Sequence, residues 1–155
     1  MDTAHPRYAE RLGVPLRWWV QATMMVASFW LALVVALPGL AAWGITALVM
    51  AVVAAAYLTY GSAVVEVADG HLRAGRARIE LDHVGRVEAL DREQARLAAG
   101  PQADARAFLL LRPYVHRAVR VEITDPADPA PYWLVSTRHP EDLARALSGQ
   151  RREPA

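Results

Sequence analysis

Five histidines (His5, His71, His83, His116 and His139) and no cysteine make up the soft metal ligands of this 155-residue chain. A zinc site needs ligands at short fixed spacings on one or two elements, and no two of these histidines have one. Without cysteine there is neither a disulfide framework nor a thiolate ligand. No nucleophile elbow, phosphate loop or dinucleotide fingerprint occurs. Asp125 and Asp128 offer two carboxylates to one cation or to a partner. Asp-Pro steps, however, more often start turns in which the carboxylate caps a backbone N–H. Asp104, Arg106 and Arg112 form either an ion-pair cluster or a recognition patch. Arg73, Arg76 and Arg78 either touch anionic lipid or make a solvated strand face paired with Glu66 or Glu80. No tuned acid–base pair stands out, so the expectation is no catalytic residue, no metal and no cofactor.

The elements that position these groups divide sharply by charge. All 33 formal charges lie outside a neutral run of 48 residues between Arg17 and Glu66, which also lacks histidine. A surface element with no solvated face does not suit a soluble domain. Pro38-Gly39 splits the run into Trp18–Leu37 and Ala41–Tyr60, 20 residues each, and at about 1.5 Å per residue each spans roughly 30 Å. The expectation is an N-terminal transmembrane helical hairpin with residues 1–17 as a separate segment before it. Trp18, Trp19, Trp43, Tyr57 and Tyr60 sit at belt positions. Arg7, Arg11 and Arg17 precede the first span, Arg73, Arg76 and Arg78 follow the second, and the turn is uncharged. The positive-inside rule then places both termini in the cytoplasm. A cleavable signal peptide fits less well, because the apolar run is long and a second span follows at once. Ser28, Ala32 and Ala36, like Ala47, Ala51 and Ala55, recur every four residues. Each trio shares a helix face, where small side chains suit hairpin self-packing or an oligomer interface. Neither span contains an ionisable acid or base, so the hairpin reads as an anchor rather than a pore.

Beyond Gly61 the period becomes strand-like. Val65 and Val67 alternate with Glu66, Asp69-Gly70 makes a hairpin turn, and the parity flips at Gly75 through a bulge or a second tight turn. Arg86 to Leu90 reads as a strand, and Asp91 with Gln94 as a capping box opening a short exposed helix. Phe108 to Arg112, Val119 to Thr124 and Tyr132 to Ser136 are the remaining strands, and Pro140 opens a final helix. The whole reads as an α+β membrane protein. Its small antiparallel domain of about seven strands, residues 61–147, carries a C-terminal helix, and 148–155 is a polar tail. From Gly61 onward 14 arginines balance 14 acids, so the basic excess of a nucleic-acid binder is missing. Adjacent strand residues face opposite ways, so Tyr132 and Trp133 cannot both enter a single-sided core. One of them is expected at a partner surface, the alternative being that both are buried.

Seven strands and a capping helix resemble the pleckstrin-homology-like fold. A closer resemblance rests on Tyr8-Ala9-Glu10-Arg11-Leu12 before Pro15-Leu16-Arg17-Trp18-Trp19, on Leu72-Arg73-Ala74-Gly75-Arg76, on Leu111-Arg112-Pro113-Tyr114, and on the proline-rich run from Thr124 to Trp133. These motifs are similar to a family of small two-span actinobacterial membrane proteins of unknown function. That resemblance implies a bacterial plasma-membrane location and brings no activity. Seventeen arginines with no lysine also suit GC-rich coding. The expected role is a non-catalytic binding or scaffolding module at the inner membrane face, with the lipid bilayer and an unidentified protein as partners. An accessory subunit of a larger membrane complex is the alternative.

Overall fold

The structure, a computed structural model, describes residues 7–149. The described chain forms two compact units, 13–62 and the remainder on either side of it.

The first unit is a pair of apolar helices, α1 (Leu16–Ala36) and α2 (Gly39–Tyr60). Both are long and apolar enough to cross a membrane, and only 11% and 6% of their apolar windows are buried. Buried core helices of a soluble protein would show the reverse. Each Ser and Thr hydroxyl within them bonds back to its own helix: Thr23 to Trp19 C=O at 2.9 Å, Ser28 to Met24 C=O at 3.0 Å, Thr46 to Ala42 C=O at 2.8 Å and Thr59 to Ala55 C=O at 2.8 Å. Such self-satisfaction is what an apolar solvent demands of a polar group. The helices meet through Ala22, Val26 and Ala42, which are buried, through the Trp30–Trp43 ring pair at 5.0 Å and through the Trp19–Tyr57 pair at 5.2 Å. The expected small-residue seam is corrected. Ser28, Ala32, Ala36, Ala47, Ala51 and Ala55 are all exposed. Ser28 is offset by two residues from Val26, about 200° around a helix, so the α1 trio begins on the opposite face from the buried seam.

The second unit holds two four-stranded sheets. The first runs β1-β2-β3-β4: β1 (Tyr8–Arg11), β2 (Val64–Ala68), β3 (His71–Ala74) and β4 (Ala77–Glu80), all antiparallel. Within the expected 1–17 segment, Tyr8–Arg11 thus form a strand of the domain, while residues 1–6 lie outside the described residues. The β1–β2 connection, normally a short turn, contains the entire helical hairpin. Leu12 N–H donates to Ala63 C=O at 2.9 Å, closing the pair just where the chain leaves for the helices and returns. Between β2 and β3, Asp69 and Gly70 both have positive φ, 49° and 71°, which matches a primed hairpin turn. Gly75 at φ 63° makes the second tight turn and accounts for the flip of parity.

A single 3-10 turn (Leu81–His83) leads into the second sheet, ordered β5-β7-β8-β6. Its strands are β5 (Val84–Leu90), β6 (Phe108–Leu110), β7 (Ala118–Ile123) and β8 (Tyr132–Ser136). The β6–β8 pair is parallel, so the domain is mixed rather than wholly antiparallel and has eight strands rather than seven. Helix α3 (Arg92–Ala99) carries the expected capping box, with Gln94 N–H to Asp91 Oδ1 at 2.9 Å and Asp91 N–H to Gln94 Oε1 at 3.0 Å. Ala95 and Ala98 pack with Tyr132 and Leu134 of β8. Helix α4 (Pro140–Gly149) buries Leu143 and Leu147 and touches β5 and β7 as well as β1 and β2. It therefore joins the two sheets.

This connectivity predicts that residues 13–62 can be replaced by a two-residue Asn-Gly turn joining Leu12 to Ala63. The product should be a soluble domain that unfolds cooperatively, followed by circular dichroism during heating. A fragment that merely starts at Gly61 lacks β1 and should melt lower or aggregate. Equal stability of the two would contradict the role given to β1.

Candidate functional site

Tyr8 and Glu10 pair across the sheet with Val67 and Val65, both fully buried. Directly opposite residues share a face, so this edge strand turns a phenol and a carboxylate inward. The carboxylate meets the corner between β8 and α4. Tyr8 O–H donates to Glu10 Oε2 at 2.6 Å, and Thr137 O–H donates to the same oxygen at 2.6 Å. The two hydroxyls lie 2.7 Å apart, so two protons serve a triangle of three oxygens. Arg138 adds its backbone N–H, 3.2 Å from both carboxylate oxygens, and its guanidinium Nη1 at 3.2 Å. The same Nη1 donates to Arg11 C=O at 3.3 Å. A second tie to the end of β1 comes from the Tyr114 hydroxyl, which donates to Leu12 C=O at 2.6 Å.

The electrostatics follow from this donor set. Burial pushes the Glu10 carboxyl upward, since its side chain is only 10% exposed. The hydrogen bonds from Thr137, Tyr8 and Arg138, together with the Arg138 charge, outweigh burial and hold it below the ordinary carboxyl range. The Tyr8 phenol is raised, first by burial and then by donating to Glu10. An ionised carboxylate saturated with donors has little acceptor capacity left for a substrate proton. The arrangement is a clasp, not a general base. Beside it an open cleft of about 670 Å³ is lined by Arg7, Tyr8, His139, Asp142 and Arg145. There Asp142 already accepts from Arg145 at 2.7 Å.

The residues singled out in the sequence are distributed over the domain rather than gathered. Asp104 and Arg106 pair at 3.3 Å. The side-chain and backbone hydrogen bonds of Arg106 lower the Asp104 carboxyl. Arg112 is engaged differently: its N–H donates to Ser136 Oγ at 3.1 Å and its Nη1 to Leu111 C=O at 3.1 Å. Asp125 and Asp128 are turn makers, each accepting from the backbone N–H two residues on, at 2.8 and 2.9 Å. The expected exposed aromatic is corrected: Tyr132 is 5% and Trp133 4% exposed. Helix α3 covers the face that a single-sided sheet would leave open. The Tyr132 hydroxyl accepts Asp104 N–H at 2.9 Å and its ring lies 4.1 Å from the Arg120 guanidinium. Trp133 stacks at 4.9 Å on Phe108 of the neighbouring strand. Among the described residues no three His, Cys, Asp or Glu side chains come together as a metal site would need.

The outer face of the first sheet is basic at one end. Arg73 and Arg78 sit directly opposite one another on β3 and β4, and Arg11 is opposite Val64 on β1 and β2. Arg76 occupies the β3–β4 turn. All four are exposed. Sequence reasoning included three of them and missed Arg11, along with Tyr8, Glu10 and Thr137. The available signal was the two-residue alternation Tyr8, Ala9, Glu10, Arg11.

The clasp predicts a pH dependence. A carboxyl depressed in the folded state contributes stability above its ordinary value near 4.5 and loses it as pH falls through the folded value. The resistance of the wild type to chemical denaturation should therefore fall on acidification below about pH 4.5. Glu10→Gln should remove that part of the pH dependence and cost about 1–3 kcal/mol at neutral pH. An unchanged acid profile in the variant would show that Glu10 is not the group responsible.

No curated protein and no solved structure matches the chain. A family model does match, from residue 7, just before β1, to residue 147 in α4, and so takes in both units. The chain belongs to the family described as Protein of unknown function (DUF3093).

Proposed function

We propose that this protein is a non-catalytic binding or scaffolding module anchored in a bacterial plasma membrane, with its β domain at the cytoplasmic face. The observation that carries the reading is the insertion of two exposed apolar helices between strands that pair with each other. Because β1 and β2 are hydrogen-bonded neighbours, two spans return the chain to the side from which it left. Arg7, Arg11 and Arg17 before the helices and Arg73, Arg76 and Arg78 after them, with no charge in the turn, favour the cytoplasm for that side. Two sheets joined by a C-terminal helix support a pleckstrin-homology-like reading, from which the parallel β6–β8 pair departs. The donor-saturated Glu10 favours binding over catalysis.

A second reading, an accessory subunit of a larger transporter or envelope complex, is favoured by one observation. The stripes Ser28, Ala32, Ala36 and Ala47, Ala51, Ala55 remain exposed, where small residues let another helix approach closely.

Topology tests the main reading, helped by the absence of native cysteine. Gly39→Cys should react with an impermeant thiol reagent in intact cells, and Gly149→Cys should react only after permeabilisation. Labelling of Gly149→Cys from outside would overturn the cytoplasmic placement. Protection of both positions in intact cells, with both labelled after permeabilisation, would overturn the two spans.

A further inference from the structure

Four arginines of the domain sit against carboxylates: Arg138 on Glu10, Arg106 on Asp104, Arg145 on Asp142 and Arg117 on Glu141. The outer face of the first sheet gathers four that do not. Arg11, Arg73, Arg76 and Arg78 form no ion pair among the described residues, and the one side-chain hydrogen bond found for the four is Arg73 Nε to Gly75 C=O at 3.4 Å. Glu66 is directly opposite Arg73, yet no salt bridge joins them. Glu80 instead lies 3.9 Å from His71 and 4.0 Å from His83. Like charges directly opposed on a strand pair repel, and Arg73 faces Arg78 in just that way. This end of the face therefore carries four arginines against one carboxylate, Glu66, with no ion pair between them.

Its place in the sheet is equally specific. Gly75 N–H donates to Val64 C=O at 2.8 Å, so the turn carrying Arg76 lies beside the first residue of β2. Arg11 is the residue opposite Val64. The chain leaves this same end of the sheet for the apolar hairpin after Leu12 and rejoins it at Ala63. The four guanidinium-bearing positions spread over two rows of the strand surface rather than converging on one point. Such a spread suits a plane of charges, and tethering to a bilayer would supply it at high effective concentration.

We propose that this end of the first sheet is a binding surface for anionic lipid, Arg11, Arg73, Arg76 and Arg78 taking the phosphates of acidic headgroups. The inference rests on the membrane-anchored reading above, and its test separates the two. The full chain carrying Ala9→Cys, on the same outer face and opposite Glu66, is placed in nanodiscs of phosphatidylcholine alone or mixed with phosphatidylglycerol. Reaction of the thiol with a neutral maleimide is then timed. Modification should be several-fold slower in the anionic discs. High salt should restore the rate, since it shortens the range of these charges. A variant with all four arginines changed to Gln should react equally fast in both discs, and Ser148→Cys on α4 should respond to neither lipid. Equal rates for Ala9→Cys in the two discs, or slowing that survives in the Gln variant, overturns the lipid surface while leaving the anchor intact. Slowing by inorganic phosphate or an acidic peptide in neutral discs assigns the surface to a soluble anion and overturns it as well. A chain that does not enter discs at all overturns the anchored reading together with the inference.

Discussion

The domain depends on one backbone pairing, that of Tyr8–Arg11 with Val64–Val67. These strands are neighbours in space and separated in sequence by the whole helical hairpin. Closing so long a loop costs entropy, but the cost grows only with the logarithm of loop length. The helices also bring their own ends back through their mutual packing. In return β2 gains a second partner, and Val65 and Val67 become fully buried. Without β1 those valines would lie on an exposed edge strand, a site for unwanted pairing. Helical hairpin and domain are thus interleaved rather than arranged in series.

Glu10 shows how that edge is held in place. A charge turned toward the inside of an edge strand is tolerated only when its acceptor sites are filled. Thr137, Tyr8 and Arg138 fill them. The same donors that make the pairing specific fill the acceptor sites that the carboxylate would need for acid–base chemistry. Arg11, Arg73 and Arg78, which form no ion pair among the described residues, lie instead on the outer face of the same sheet, near the end from which the hairpin leaves. Strand β1 contributes to both: its inward positions bear the clasp and its outward positions include Arg11.

Features written in a few consecutive residues were legible from sequence. The two apolar helices, the Asp69-Gly70 turn, the switch at Gly75 and the Asp91–Gln94 box all follow from local chemistry. Strand β1 was not, because four residues with a phenol and a carboxylate on the buried face and an arginine on the other read as polar throughout. Its burial comes from Thr137 and Arg138, 127 or more residues away. The parallel placement of β6 likewise depends on a crossover that no short window contains. Tyr132 and Trp133 were misjudged because α3, with Ala95 and Ala98 on its buried face, roofs the second side of β8. The small-residue stripes were correctly placed on common helix faces, but spacing does not reveal which face meets the partner helix.

The pairing register of β1 is the most direct test. Ala9 and Glu66 are opposite one another, and the Leu12-to-Ala63 hydrogen bond makes theirs a non-hydrogen-bonded pair. Such pairs have Cα atoms about 4.5 Å apart, within the range a disulfide spans. In the otherwise cysteine-free full chain, Ala9→Cys with Glu66→Cys should oxidise to an intramolecular disulfide, identified by mass spectrometry of the digested protein. Arg11→Cys with Ala68→Cys, on the same face but four residues out of register, should not. Failure of the first pair to form, or equal formation of both, would contradict the interleaved sheet on which the account rests.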